Sequence, residues 1–132
     1  MAEFAIGRVA AEAGLPPSTI RYYEAEGLLP LPQRRSGKRV YDRWILDRLA
    51  LIELTKECGF SINEIRTFLH GFPRKTPPAK RWQSLAKAKL EALNEQMVRI
   101  SRMKRVLRAV LRCECQSVEH CGVSARRHHL IP

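Results

Sequence analysis

From Arg81 to Arg112 the chain runs without a single glycine or proline. Ala86, Leu93, Ile100 and Leu107 recur there at intervals of seven. Trp82, Met103 and Val110 fall on the companion position of the same repeat, with Lys89 and Gln96 interrupting it. This pattern predicts one long helix with an apolar seam. In a protein of 132 residues such a helix has too little of its own chain to cover the seam. It needs a partner, most simply its own copy in an antiparallel homodimer. The competing arrangement folds the helix back on its own domain.

What precedes that helix reads as a small helical domain. In "AIGRVAAEAGL", Ile6, Val9, Ala10 and Ala13 share one helical face, and Gly14 supplies a C-terminal stop. "PPSTIRYYEAEGLL" restarts with Pro17 and Ser18, turns Ile20 and Tyr23 inward and ends at Gly27. Two short helices joined by a glycine-containing turn make a helix-turn-helix. Prolines 30 and 32 then break the helix, and "RRSGK" sets a turn between two extended pieces, Leu31–Arg34 and Arg39–Tyr41, as in the wing of a winged helix. A plain basic loop is the alternative. Two more helices follow, with Trp44, Ile45, Leu49 and Ile52 at helical spacing in the first. Ser61 and Glu64 form a capping box for the second, with Phe68 and Leu69 on its inner face. The expected boundaries are a DNA-binding domain with its second helix pair at 1–72, a proline-rich hinge at 73–80, the long helix at 81–112 and a cysteine-containing tail at 113–132.

The net charge of +11 favours an anionic partner such as nucleic acid. It is unevenly placed: residues 1–70 hold 10 basic against 9 acidic side chains, and residues 71–112 hold 12 against 2. No segment approaches the roughly 18 apolar residues that span a bilayer, and "MAEFAIGRVAAEAGL" has no basic stretch followed by an apolar run. A cytoplasmic protein with reduced thiols is the expectation. Nothing resembles catalytic machinery: there is no nucleophile with a partnered base, no phosphate-binding glycine loop and no paired acidic cluster. The chain is therefore not expected to be an enzyme.

The succession "AIGRVAAEAGL", "TIRYYEAEGLL", the basic "RRSGKRVY" and the later "CGFSINEI" resembles the MerR family of transcriptional regulators, and the resemblance runs over the whole chain. It implies a mainly α fold: a winged helix-turn-helix DNA-binding domain plus a long antiparallel coiled-coil dimerisation helix, followed by an effector tail. It implies a homodimer on a palindromic operator in double-stranded promoter DNA. With effector bound, such a dimer twists and bends an over-long promoter spacer so that RNA polymerase engages both promoter elements, which is activation by DNA deformation. The helix from Ser18 to Ala25 is then the recognition helix. Ser18, Thr19, Arg21, Tyr22 and Tyr23 are its candidate DNA contacts, Tyr23 having core packing as an alternative. Arg34, Arg35, Lys38, Arg39 and Tyr41 are the wing residues that would grip flanking phosphates. Many relatives carry tyrosine where this chain has Lys38, which keeps the charge and loses the aromatic packing.

The stretch "LRCECQSVEHC" places Cys113, Cys115 and Cys121 just after the long helix. Clustered thiols in a reducing compartment read first as ligands or sensors. Seven residues separate Cys113 from Cys121, a spacing similar to that of copper(I)-type sensors of the family. Thiolates suit Cu(I), Zn(II), Hg(II), Cd(II) and Pb(II), and Cys115 with His120 extends the donor set. Family sensors of divalent ions usually carry a further cysteine at the start of the partner's long helix, and the copper type a serine. Ala79 stands near that point here. The spacing C-x-C-x5-C also resembles the iron–sulfur redox-sensor branch, but its first cysteine corresponds to Val110, and a [2Fe–2S] cluster normally takes four protein ligands. A redox- or electrophile-responsive thiol, favoured by the nearby Arg105, Arg108 and Arg112, a structural zinc, an organic effector and a metal-buffering protein without promoter activity complete the alternatives. Cys58 reads as a small buried hydrophobe, and "RRHHLIP" as a disordered terminus in which His128 and His129 are at most auxiliary ligands.

Overall fold

The computed structural model describes residues 3–127 and divides into two compact units, one ending at Leu85 and one beginning at Ala86. In the first unit, strand β1 (Glu3–Ala5) leads into helices α1 (Ile6–Ala13) and α2 (Pro17–Ala25). Strands β2 (Gln33–Arg35) and β3 (Lys38–Asp42) follow, then helices α3 (Ile45–Glu57) and α4 (Ile62–His70). Helix α5 runs from Pro78 to Leu111, and α6 from Val118 to Arg127.

Local chemistry explains the joints. Gly14 ends α1 in the left-handed region, with φ +69° and its N–H on the Ala10 carbonyl, so that α2 restarts three residues later. Pro17 opens α2 where a helix has no use for an N–H. The wing is an antiparallel hairpin pairing Arg34 with Arg39 and Arg35 with Lys38. Its two-residue turn, Ser36–Gly37, takes φ values of +51° and +79°, which matches a hairpin loop to the twist of its strands. β3 is the central strand, with β1 on its other side. At α4 both halves of the capping box are present: Glu64 N–H donates to Ser61 Oγ at 3.2 Å, and Ser61 N–H to Glu64 Oε1 at 3.0 Å.

The core gathers Phe4, Val9, Ile20, Tyr23, Leu28, Tyr41, Ile45, Leu49, Ile52, Phe60 and Ile65. It therefore joins the sheet to all four helices of this unit and fixes the wing relative to α2. Arg81 closes the far end of α4, donating to the carbonyls of Phe68 (2.9 Å), Leu69 (3.0 Å) and Thr76 (3.0 Å). The Phe68 and Leu69 carbonyls lie in the last turn of α4, where a helix offers no partner of its own.

The structure departs from the sequence reading at several points. β1 was not anticipated: three residues with a single buried side chain, Phe4, carry no alternation to detect. The first wing strand begins at Gln33 rather than Leu31, and Leu31 is exposed. The long helix starts at Pro78 inside the expected hinge, because proline is at home in a first turn. Trp82 does not serve the apolar seam. It packs on Phe68, with ring centroids 4.5 Å apart, and edge-on against Phe60 at 6.1 Å. Cys58 is exposed, not buried: α3 ends at Glu57 and Gly59 follows at φ +86°, so helical spacing no longer governs that side chain. Trp44 is half-exposed beside the N-terminus of α3. Helix α6 replaces part of the expected tail. His128 and His129 lie outside the described residues.

Beyond Leu85, α5 has no buried residue. Leu93, Ile100, Met103, Leu107 and Val110 all stand exposed, as do Leu90 and Met97 beside them. No helix among the described residues is long and apolar enough to cross a membrane.

Candidate functional site

Two sets of residues carry chemistry, one in each unit. In the first unit, α2 exposes Ser18, Arg21 and Tyr22, with Thr19 half-buried. Its opposite face carries Ile20, Tyr23 and Glu24 into the interior. On the wing, Arg34, Arg35 and Lys38 are exposed and Arg39 is partly covered. Arg34 donates to the Gly37 carbonyl at 3.0 Å, bracing the turn. Arg35 forms a bidentate pair with Glu3 across the sheet, and Arg39 donates to Glu24 at 3.1 Å. The exposed Arg35–Glu3 pair contributes little and leaves Arg35 available to a phosphate, whereas Arg39 is held to a buried carboxylate.

Two tyrosines leave the set of exposed phosphate donors. Tyr23 is a core residue whose hydroxyl is held between Glu53 (2.6 Å) and Lys56 (2.9 Å). Burial, and then the Glu53 carboxylate, push its pKa above the ordinary value. Tyr41 is likewise buried, and its hydroxyl donates to Glu24. Burial and that carboxylate raise its pKa as well. Both lie on the inward face of their element, where an aromatic ring is worth more to the core than a hydroxyl is to the surface. Glu24, which the sequence reading passed over, accepts from both Tyr41 and Arg39 and so joins β3 to α2. Its signal was its place on the inward face of a helix otherwise lined by Ile20 and Tyr23.

In the second unit the thiols converge. α5 ends at Leu111, and the chain tightens through Arg112 and Cys113, whose N–H groups donate to Ala109 and Val110. Ser117 then starts α6, accepting the His120 N–H on its hydroxyl at 3.1 Å and the Cys121 N–H on its carbonyl at 3.1 Å. This reversal brings Cys121 Sγ to 3.7 Å from Cys113 Sγ. Cys115 completes a triangle in which all three sulfurs lie within 4.8 Å of one another. Its N–H donates to Cys113 Sγ at 3.4 Å, and its own Sγ lies 3.9 Å from Ser124 Oγ. The Cys115 thiol and N–H, followed by Cys121, lower the Cys113 pKa. The same neighbours, Cys115 first, push Cys121 up to about 11. Cys113 is thus the first of this pair to become a thiolate, and a cation that displaces the second proton gains two sulfurs at once. The ring of His120 is not among the converging donors: its helix position ties down its backbone N–H and leaves the side chain exposed.

The family model described as MerR HTH family regulatory protein matches residues 4–71, and that described as MerR, DNA binding matches residues 46–110. The chain belongs to the MerR family. It is 34% identical over 106 residues, 80% of each chain, to a mercuric resistance operon regulatory protein of Bacillus cereus. It is 31% identical over 117 residues to a SoxR-homologous transcriptional activator of Chromobacterium violaceum, covering 88% of this chain and 79% of that one. Among solved structures, the transcription regulator PbrR691 of Ralstonia metallidurans in complex with lead(II) matches with a TM-score of 0.74 and 28% identity. That match covers 88% of this chain and 92% of PbrR691. Against this background two features of this MerR chain stand out. Ala79, at the second position of α5, offers a methyl group and no donor. The second is that the thiol cluster of the described residues converges three sulfurs, where a [2Fe–2S] cluster takes four ligands. Three soft donors fit a single thiophilic ion.

Proposed function

We propose that this MerR-family protein is a promoter-binding transcriptional regulator. It acts as a homodimer and is switched by a thiophilic metal ion held by Cys113, Cys115 and Cys121. The observation that carries the effector assignment is the convergence of the three sulfurs within 4.8 Å. The relatives named for mercuric resistance and bound to lead(II) support the same class of ion.

Each part of the chain has a place in this reading. Ser18, Thr19, Arg21 and Tyr22 enter the major groove, and Arg34, Arg35, Lys38 and Arg39 hold flanking phosphates. The exposed seam of α5 pairs with its copy antiparallel, burying Leu93, Ile100, Met103, Leu107 and Val110. Residues 1–72 thus read DNA, 81–112 dimerise and 113–132 respond to the ion. Ion binding shifts the dimer toward the state that twists and bends the promoter spacer, allowing RNA polymerase to engage both elements. Acting on promoter DNA, the protein works in the cytoplasm.

Operator binding tests the DNA half. The protein should bind one palindromic promoter as a dimer, with an affinity that falls steeply with salt. A monomer indifferent to promoter DNA would refute it. Metal and iron analysis of protein purified anaerobically tests the other half. Stoichiometric binding of a colourless thiophilic ion supports the reading, and iron with sulfide and visible charge-transfer bands opposes it. A thiol redox switch is the second reading, favoured by the 3.7 Å approach of Cys113 and Cys121. It predicts a disulfide between them after peroxide treatment and induction without any metal.

A further inference from the structure

We propose that the ion site is complete within one protomer, with Cys115 as the third ligand, and that it selects ions that settle with three thiolates, Hg(II) and Pb(II), over linear two-coordinate Cu(I). This rests on the metal reading above and sharpens it.

Three observations point this way. The first is the spacing of Cys113 and Cys121. With metal–sulfur bonds of about 2.3 Å, two sulfurs across a linear two-coordinate ion stand about 4.6 Å apart, while a bent arrangement brings them to about 3.8–4.0 Å. The Sγ atoms stand 3.7 Å apart, so the pair is set for an ion with further ligands rather than for linear Cu(I). The second is the source of the third ligand. Cys115 lies within 4.8 Å of both partners, in the same turn, with its N–H on Cys113 Sγ. Ala79 has no donor to lend to another subunit. The third is the missing fourth. Among the described residues no histidine, cysteine or carboxylate joins the three sulfurs, and His120 stays outside. A closed structural zinc site takes four protein ligands, so the three sulfurs do not form one by themselves. Cys113 and Cys121 are exposed within the protomer, so an ion can reach them from solvent.

The experiment titrates Hg(II) and Pb(II) into the reduced, full-length protein against a competing small thiol, following sulfur-to-metal charge transfer. One ion per chain is expected. Cys115→Ser should weaken binding by roughly 100-fold or more, since even losing a residue that merely supports a ligand costs 10–100-fold. Its charge-transfer intensity per ion should also fall, whereas Cys58→Ser should change neither. Dimers mixed from Cys113→Ser and Cys115→Ser chains should regain no three-sulfur site. If mixing restores one such site per pair of chains, ligation crosses subunits and the proposal is overturned. Unchanged affinity and spectrum for Cys115→Ser would overturn it too, while leaving a metal sensor built on Cys113 and Cys121 intact. Tighter binding of Cu(I) than of both larger ions would overturn the selectivity claim. A wild-type protein that holds no thiophilic ion would sink the metal reading itself.

Discussion

Arg39 on the central wing strand donates to Glu24 on the inward face of α2 at 3.1 Å, and the same carboxylate accepts the Tyr41 hydroxyl. The wing and α2 are therefore joined through a residue that is 8% exposed. Glu24→Ala would leave the Tyr41 hydroxyl buried without its acceptor. The expected cost is about 1–3 kcal/mol of stability, read by denaturant unfolding. Operator affinity should fall further than stability alone explains, because wing and helix lose their common reference.

The hairpin turn makes its own demand on backbone geometry. Ser36 and Gly37 both have positive φ, a conformation that costs a side-chain-bearing residue roughly 1–2 kcal/mol. Gly37→Val should destabilise the domain by about that amount and loosen the register of Arg34, Arg35 and Lys38. Ser36→Asn should stabilise it. Thermal unfolding of the two variants, compared with wild type, gives the opposite signs directly.

Alkaline pH should unfold the domain early. The hydroxyls of Tyr23 and Tyr41 and the ammonium of Lys56 all hold their protons more tightly in the folded state: burial raises both tyrosines, and the hydrogen bond to Tyr23 raises Lys56. A folded-state pKa above the unfolded value adds stability that is fully present below the unfolded value and is lost as pH rises through the folded one. The ordinary values are 10.0 for tyrosine and 10.5 for lysine, so the loss begins above pH 10. Stability measured against pH should fall there, and Tyr23→Phe and Tyr41→Phe should each flatten the decline. A curve unchanged in both variants would contradict the assignment.

Trp82 anchors the start of α5 on Phe60 and Phe68. Trp82→Ala should cost about 2–3 kcal/mol, below the 3–5 kcal/mol of a fully enclosed aromatic, because the ring is half-buried. The loss should appear as a lower unfolding midpoint with no change in dimer dissociation. A selective effect on dimerisation would return Trp82 to the seam.

Much of this architecture could be read from the sequence, and the misses share a cause. The stop at Gly14, the Pro17 start, the Ser61–Glu64 box and the inward positions Ile20, Leu49 and Ile52 are local rules that act over one or two turns. Strand β1 exists only because Phe4 and its neighbours pair with β3, a long-range fact with no local trace. Tyr23 and Tyr41 carry the same hydroxyl whether they face phosphate or core, and only packing decides. Trp82 falls on the heptad but meets two aromatics first. The thiol triangle was legible as a cluster and not as a shape. Helix α6 gives it that shape, and its signals, Ser117 at the cap with Glu119 and Arg126 at opposite ends, lay under the expectation of an irregular tail.

The most direct test is transcription in vitro from the operator-bearing promoter, with purified polymerase and the reduced protein, with and without Hg(II) or Pb(II). The ion should raise transcript from the wild-type complex. Cys113→Ser and Cys121→Ser should still occupy the operator and fail to respond. Induction that survives both substitutions, or a protein whose operator occupancy and transcript ignore every thiophilic ion, would contradict a metal-switched regulator.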